Sequence, residues 1–97
     1  MSKFNFFNRI NVNSVNFSDH VASFGFISSG ISFINSSALS SDIVEYSFDG
    51  STLHGDLVPS DTSSALAFDN RFESRVWFRL KTDGPQVNIR VEAWAIG

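Results

Sequence analysis

No cysteine occurs in the 97 residues, which removes disulfides and thiolate–metal sites from the means of holding a small fold together. Proline and glycine are also scarce, at 2 and 6, so few positions are forced out of regular structure. Charge is thin. Seven basic against ten acidic side chains leave a net −3, the wrong sign for a face that tracks a phosphate backbone, and nucleic acid is not an expected partner. No apolar run approaches the roughly 18 residues that cross a bilayer, so no membrane partner is expected. "MSKFNFFNRINV" lacks the apolar stretch and small-residue cleavage site of a secretory signal. The missing cysteines fit synthesis in a reducing compartment.

What is present is aromatic. Eleven Phe, two Trp and one Tyr supply the core of a single domain spanning residues 1–97, each ring burying about 150–250 Å² when covered. The polar remainder is seventeen Ser and eight Asn, residues that bond nearby backbone and favour turns and extended chain over helix. A helical period is nowhere evident, whereas a period of two recurs. In "SRVWFRLKT", Val76, Phe78 and Leu80 alternate with Arg75, Trp77, Arg79 and Lys81. In "QVNIRVEAWAI", Val87, Ile89, Val91, Ala93 and Ala95 alternate with Asn88, Arg90, Glu92, Trp94 and Ile96. The intervening "DGP" reads as a hairpin turn that pairs these two strands. Further strands fall in "RINVNSVNF", with a change of phase at Asn13–Ser14, and in "HVASFGFI", "ISFIN" and "ALAFD". Seven to eight short strands at turn spacings of about 8–12 residues predict an all-β, antiparallel β-sandwich, immunoglobulin-like or a small jelly roll.

"VEYSFDGSTLHGDL" concentrates Glu45, Tyr46, Asp49, His54 and Asp56. Asp-Gly between alternating residues is a strong type I′ hairpin signal. It predicts Tyr46 opposite Leu53, Glu45 opposite His54, and Val44 opposite Gly55. Ser47, His54 and Asp56 offer the residue types of a hydrolytic triad, but no nucleophile elbow accompanies them. Asp49, His54 and Asp56 lack zinc spacing or a calcium loop. No enzyme activity, cofactor or metal is expected. His20 reads as the start of a strand, and the sequons at Asn16 and Asn35 as chance matches.

The core-facing phase of the two C-terminal strands leaves Trp77, Trp94 and Ile96 on one outward face beside Arg75, Arg79, Arg90 and Glu92. Trp with Arg on an outer face is the composition of a protein–protein hot spot. The bland reading is rim aromatics covered by Arg stems. At the other end, "KFNFFNR" sets Phe4 and Phe6 against Phe7, either as an edge strand or as an extended arm over residues 1–12 that adds to a neighbour's sheet. The expected interface is therefore Phe4, Phe6, Phe7, Trp77, Arg79, Arg90, Trp94 and Ile96.

The run "VEYSFDGSTLHGDL", followed by "LAFDNRFESRVWFRL" and "VNIRVEAWA", resembles small β-rich structural proteins of tailed-bacteriophage virions. The resemblance spans Val44 to Ala95 and carries no assigned functional residues. It implies a non-enzymatic virion component made in the host cytoplasm, with a capsid decoration (cement) protein as the leading expectation. Its partners would then be the major capsid protein or other virion proteins, and sister copies in a homo-oligomer such as a trimer. A head–tail junction or tail and baseplate component is one alternative. A carbohydrate-binding module, for which β-sandwiches with exposed Trp are good platforms, is another.

Overall fold

The computed structural model describes residues 3–37, 39, 41–59 and 65–96, with Lys3, Ala65, Leu66 and Ile96 described by backbone alone. Eight strands follow in order: β1 (Lys3–Val12), β2 (Val21–Ser23), β3 (Gly30–Asn35), β4 (Val44–Ser47), β5 (Gly55–Leu57), β6 (Ala65–Asp69), β7 (Arg75–Leu80) and β8 (Val87–Ile96). They build two four-stranded sheets, β1-β8-β3-β6 and β2-β7-β4-β5, hereafter sheets A and B. All pairings are antiparallel. The sole helical element among the described residues is a single 3-10 turn, Phe17–Asp19.

Each strand of the first half pairs with its counterpart counted from the other end: β1 with β8, β2 with β7, β3 with β6, β4 with β5. That nesting is the winding of an eight-stranded jelly roll, and it selects one of the two expected sandwich architectures. It also overturns the C-terminal hairpin. β7 and β8 lie in different sheets, so the segment around "DGP" crosses the sandwich instead of closing a ladder. Their inward residues still alternate as expected, because an inter-sheet crossing preserves the phase of each strand. The phase change at Asn13–Ser14 is the chain leaving β1 for the 3-10 turn.

Val12, Ile31, Val44, Leu57, Val76, Phe78, Val91 and Phe33 are fully buried between the sheets. The aromatic rings divide into two groups. Phe33 meets Tyr46, Phe48, Phe68 and Phe78 at centroid distances of 5.3, 6.3, 5.6 and 5.2 Å. Under β1, Phe6 meets Phe24 at 5.1 Å and Phe4 meets Phe26 at 5.6 Å.

Two of the buried polar side chains, His20 and Asn35, are tied to backbone. The His20 ring is held between Phe78 O, 3.1 Å from Nδ1, and Asn13, whose backbone N and side-chain Oδ1 lie 3.1 and 2.9 Å from Nε2. His20 thus fastens β7 to the end of β1, just before the expected strand start. Asn35 Nδ2 donates to Asp42 O and Leu57 O at 2.8 and 2.9 Å, so one sequon amide is consumed by the fold.

The β4–β5 connection departs from the expected hairpin. Its register is Val44↔Leu57, Glu45↔Asp56 and Tyr46↔Gly55, two positions from the expected pairing. Gly50 alone has positive φ in this turn (87°), whereas a type I′ turn requires it at Asp49 as well. Instead the Asp49 carboxylate accepts from the Thr52 and Ser51 N–H groups at 2.7 and 2.9 Å and from Ser47 Oγ at 2.9 Å. Side-chain acceptors have taken over a role that backbone pairing was expected to fill.

These bonds, Thr52 first and then Ser51, hold the Asp49 carboxyl far below its ordinary value. A depressed acid stabilises the fold fully above the unfolded value near 4 and loses that contribution as pH falls toward the folded value. Asp49→Ala is therefore expected to lower the melting temperature at pH 7, with the gap to the parent narrowing below about pH 4. Melting curves from pH 7 to pH 2.5 check this; an unchanging gap means the carboxylate charge is not what secures the turn.

Candidate functional site

The triad residue types are each engaged separately. Ser47 Oγ serves the Asp49 turn, His54 Nδ1 accepts the Phe48 N–H at 3.0 Å, and Asp56 pairs with Lys81 Nζ at 2.8 Å. No hydrogen bond joins Ser47 to His54 or His54 to Asp56 among the described residues. Nor do three or more His, Asp or Glu residues converge there with metal-binding geometry. No helix of the described residues is long and apolar enough to cross a membrane.

The expected interface residues separate into three places. Phe4 and Phe6 sit on the inner face of β1 against Phe26 and Phe24. Residues 3–12 are paired along their whole length with β8, so within the chain this segment is an edge strand and not a free arm. Trp77 and Arg79 lie on the outer face of sheet B. Trp77 stands beneath the 49–50 turn, its ring 3.1 Å from where a Cβ on Gly50 would lie. Arg79 donates to Glu45 at 2.7 Å and stacks over Phe17 at 4.1 Å, so its charge and its flat face are both used internally. Asp56 raises the pKa of Lys81 through a hydrogen bond and its charge. Burial raises that of Tyr46.

Phe7, Arg90 and Trp94 do meet, on the outer face of sheet A. Register there runs in rows across the sheet: Asn5, Trp94, Gly30 and Asp69; Phe7, Glu92, Ser32 and Ala67; Arg9, Arg90 and Ile34. Phe7 is 51% exposed. The Arg9 and Arg90 guanidinium carbons lie 5.7 and 5.3 Å from its ring centroid. Arg9 and Arg90 are directly opposite in register, a like-charge pairing that disfavours the isolated sheet. No ion pair to either is found among the described residues, and the buried Nε of Arg90 has no hydrogen-bond partner. Trp94 is partly covered by lying over Gly30, where a Cβ would collide with the indole. The side chain of Ile96 lies outside the described residues.

The placing of Trp77 and Trp94 on one face is thus corrected. They occupy the outer faces of different sheets, because β7 and β8 do not pair. Arg9 and Ile34 were missed as members of the sheet A face. Arg9 was within reach of the alternation that put Phe7 opposite in phase to Phe4 and Phe6. Ile34 was not, because its placement depends on β3 joining β8 across more than fifty residues.

The chain is therefore a jelly-roll sandwich carrying one outer face with an exposed aromatic and two arginines that form no ion pair among the described residues. Its fold is similar to the crystal structure of YomS, a protein derived from the SPBc2 prophage, with TM-score 0.57 and 12% identity over 97% of this chain and 94% of that one. At that identity the likeness is one of fold. Drosophila NLP-core, whose structure bears on pentamer formation and histone binding, is a neighbour in general shape only: TM-score 0.42 and 14% identity over 93% of this chain and 98% of that one. No protein-family model matches the sequence, and no curated protein matches it.

Proposed function

We propose that this chain is a non-enzymatic structural subunit of a phage particle, a decoration protein that seats the outer face of sheet A on the capsid shell. The observation that carries the reading is the Phe7–Arg9–Arg90 cluster. A half-exposed ring lies between two arginines that the fold sets against each other, and neither forms an ion pair among the described residues although Glu92 shares their face. Such an arrangement disfavours the lone subunit and is relieved by a partner that offers carboxylates around an apolar recess. The shared fold with a prophage-derived protein over nearly the whole of both chains supports the phage context. Jelly rolls are also a recurrent architecture of viral capsid domains, an analogy at the level of fold. The carbohydrate-module alternative loses its support, since the two indoles form no common platform and each is packed against a glycine.

The test is binding of purified protein to shells that lack it. The parent chain is expected to bind saturably, and Phe7→Ser with Arg90→Glu to weaken binding by about thirtyfold or more, the scale of a truncated hot spot. Trp77→Ser, on the other sheet, leaves binding near the parent level. Absence of the chain from purified particles, or parent-like binding by the Phe7/Arg90 variant, overturns the assignment.

A further inference from the structure

Of the four sheet edges, three are short: β2 and β5 have three residues each and β6 has five. Short strands are one of the ways proteins blunt an edge against pairing with another chain. β1 is different. It presents ten residues, "KFNFFNRINV", with no proline and no bulge in its pairing to β8. Directly beneath it sheet B ends in the three-residue β2, which leaves Phe4 46% exposed although it points inward.

The direction of the free hydrogen-bonding groups can be read from Arg9. Its N–H donates to the side-chain Oδ1 of Asn8 at 2.9 Å and so is not directed at β8. Asn5, Phe7, Arg9 and Asn11 therefore aim their backbone groups at the open edge, since these alternate along a strand. Asn8 acts as a stopper that occupies one of those donors with its own amide oxygen.

We propose that β1 pairs antiparallel with β1 of a second copy of this chain, about a two-fold axis beside Asn8, to make sheet A continuous across a dimer. This supplies the sister contact of the assembly subunit proposed above and rests on that reading for its biological use alone. In this register Phe7 faces the second copy's Arg9, Phe6 its Ile10, Phe4 its Val12 and Asn5 its Asn11. Inner residues meet inner residues and outer meet outer. Both open-edge pairs, Phe7 with Arg9 and Asn5 with Asn11, exchange their backbone hydrogen bonds.

Other axes fit less well. One beside Arg9 opposes two arginines, one beside Phe6 sets Lys3 against Arg9, and one beside Phe7 sets Phe6 against Asn8. Axes between residues place core side chains opposite solvent-facing ones. The sequence of β1 is thus complementary to itself in one register. Pairing releases the Asn8 stopper, buries Phe4 further, and doubles the Phe7–Arg9–Arg90 face.

The experiment uses purified chain without particles, so it can fail independently of the virion reading. Sedimentation over a range of concentrations is expected to show a monomer–dimer equilibrium. Arg9→Pro removes an N–H that β8 does not use, so the fold persists by circular dichroism; dimerisation is expected to weaken by about a hundredfold as a donor is lost from each subunit. Because the chain has no cysteine, the register can be read by cross-linking. Asn8→Cys, an exposed site at the axis, is expected to oxidise rapidly to a disulfide dimer. Asn5→Cys and Asn11→Cys each fail to do so alone but link when mixed. A parent chain that stays monomeric at every concentration, or an Asn8→Cys variant that links no faster than Asn5→Cys, overturns the proposal. The cross-links stand whether or not the proline variant folds.

Discussion

Phe33→Ala is expected to remove about 3–5 kcal/mol of stability, the cost of deleting a fully buried ring whose cavity cannot close. A domain of this size has about 5–15 kcal/mol in all, so the variant should melt well over 10 °C lower, at about 4–8 °C per kcal/mol. The size of the effect follows from position. Phe33 lies in β3, the strand of sheet A flanked by β8 on one side and β6 on the other. Its ring reaches across to Tyr46 and Phe78 of sheet B at 5.3 and 5.2 Å, and touches Phe68 and Phe48 as well. No cysteine is available to brace the sandwich, so loss of this one ring is felt by both layers. Phe72→Ala is the internal control. Phe72 is 65% exposed, and surface truncation there should stay within about 0.5 kcal/mol. Equal melting temperatures for the two variants would mean that the aromatic cluster does not hold the sheets together.

The strand that carries Phe33 was legible from its alternation, and so were the strands around it. "ALAFD" coincides with β6 and "ISFIN" lies within β3, because a period of two is local information. Partners were not legible. "DGP" between two alternating runs has the same form whether the chain turns within a sheet or crosses between sheets. The winding that separates β7 from β8 is decided by contacts with β2 and β1, far away in sequence. The β4–β5 register failed for a more local reason. Asp49 was weighed as a backbone conformation, whereas its carboxylate gathers the N–H groups of Ser51 and Thr52 and widens the turn by two positions. The same two failures explain the site. Wrong pairing joined Trp77 to Trp94, and the missing β3–β8 contact hid Ile34; alternation put Arg90 and Trp94 on one face, but only the long-range β1–β8 pairing brings Phe7 to them.

Gly30→Val is expected to destabilise by about 1–3 kcal/mol, the usual cost of overfilling a packed site, although valine is ordinarily the better strand residue by up to about 1 kcal/mol. The reason is the indole. Trp94 is the cross-strand partner of Gly30, and a Cβ there collides with the six-membered ring and Nε1 side of Trp94. Gly30 does not have positive φ, so its backbone would accept any residue and the penalty is one of space. The sign should therefore depend on the ring. In a Trp94→Ala background, Gly30→Val is expected to become neutral or stabilising, giving a coupling of about 2 kcal/mol in the double-mutant cycle. In the single variant the displaced indole must swing off the sheet, which alters the face that carries Phe7 and Arg90 and should weaken shell binding while the core survives. An equal loss in both backgrounds would place the penalty in the β3 backbone and remove Trp94 as the reason for the glycine. A sign change would show that an aromatic laid over a bare strand position both protects the edge of this face and sets its shape.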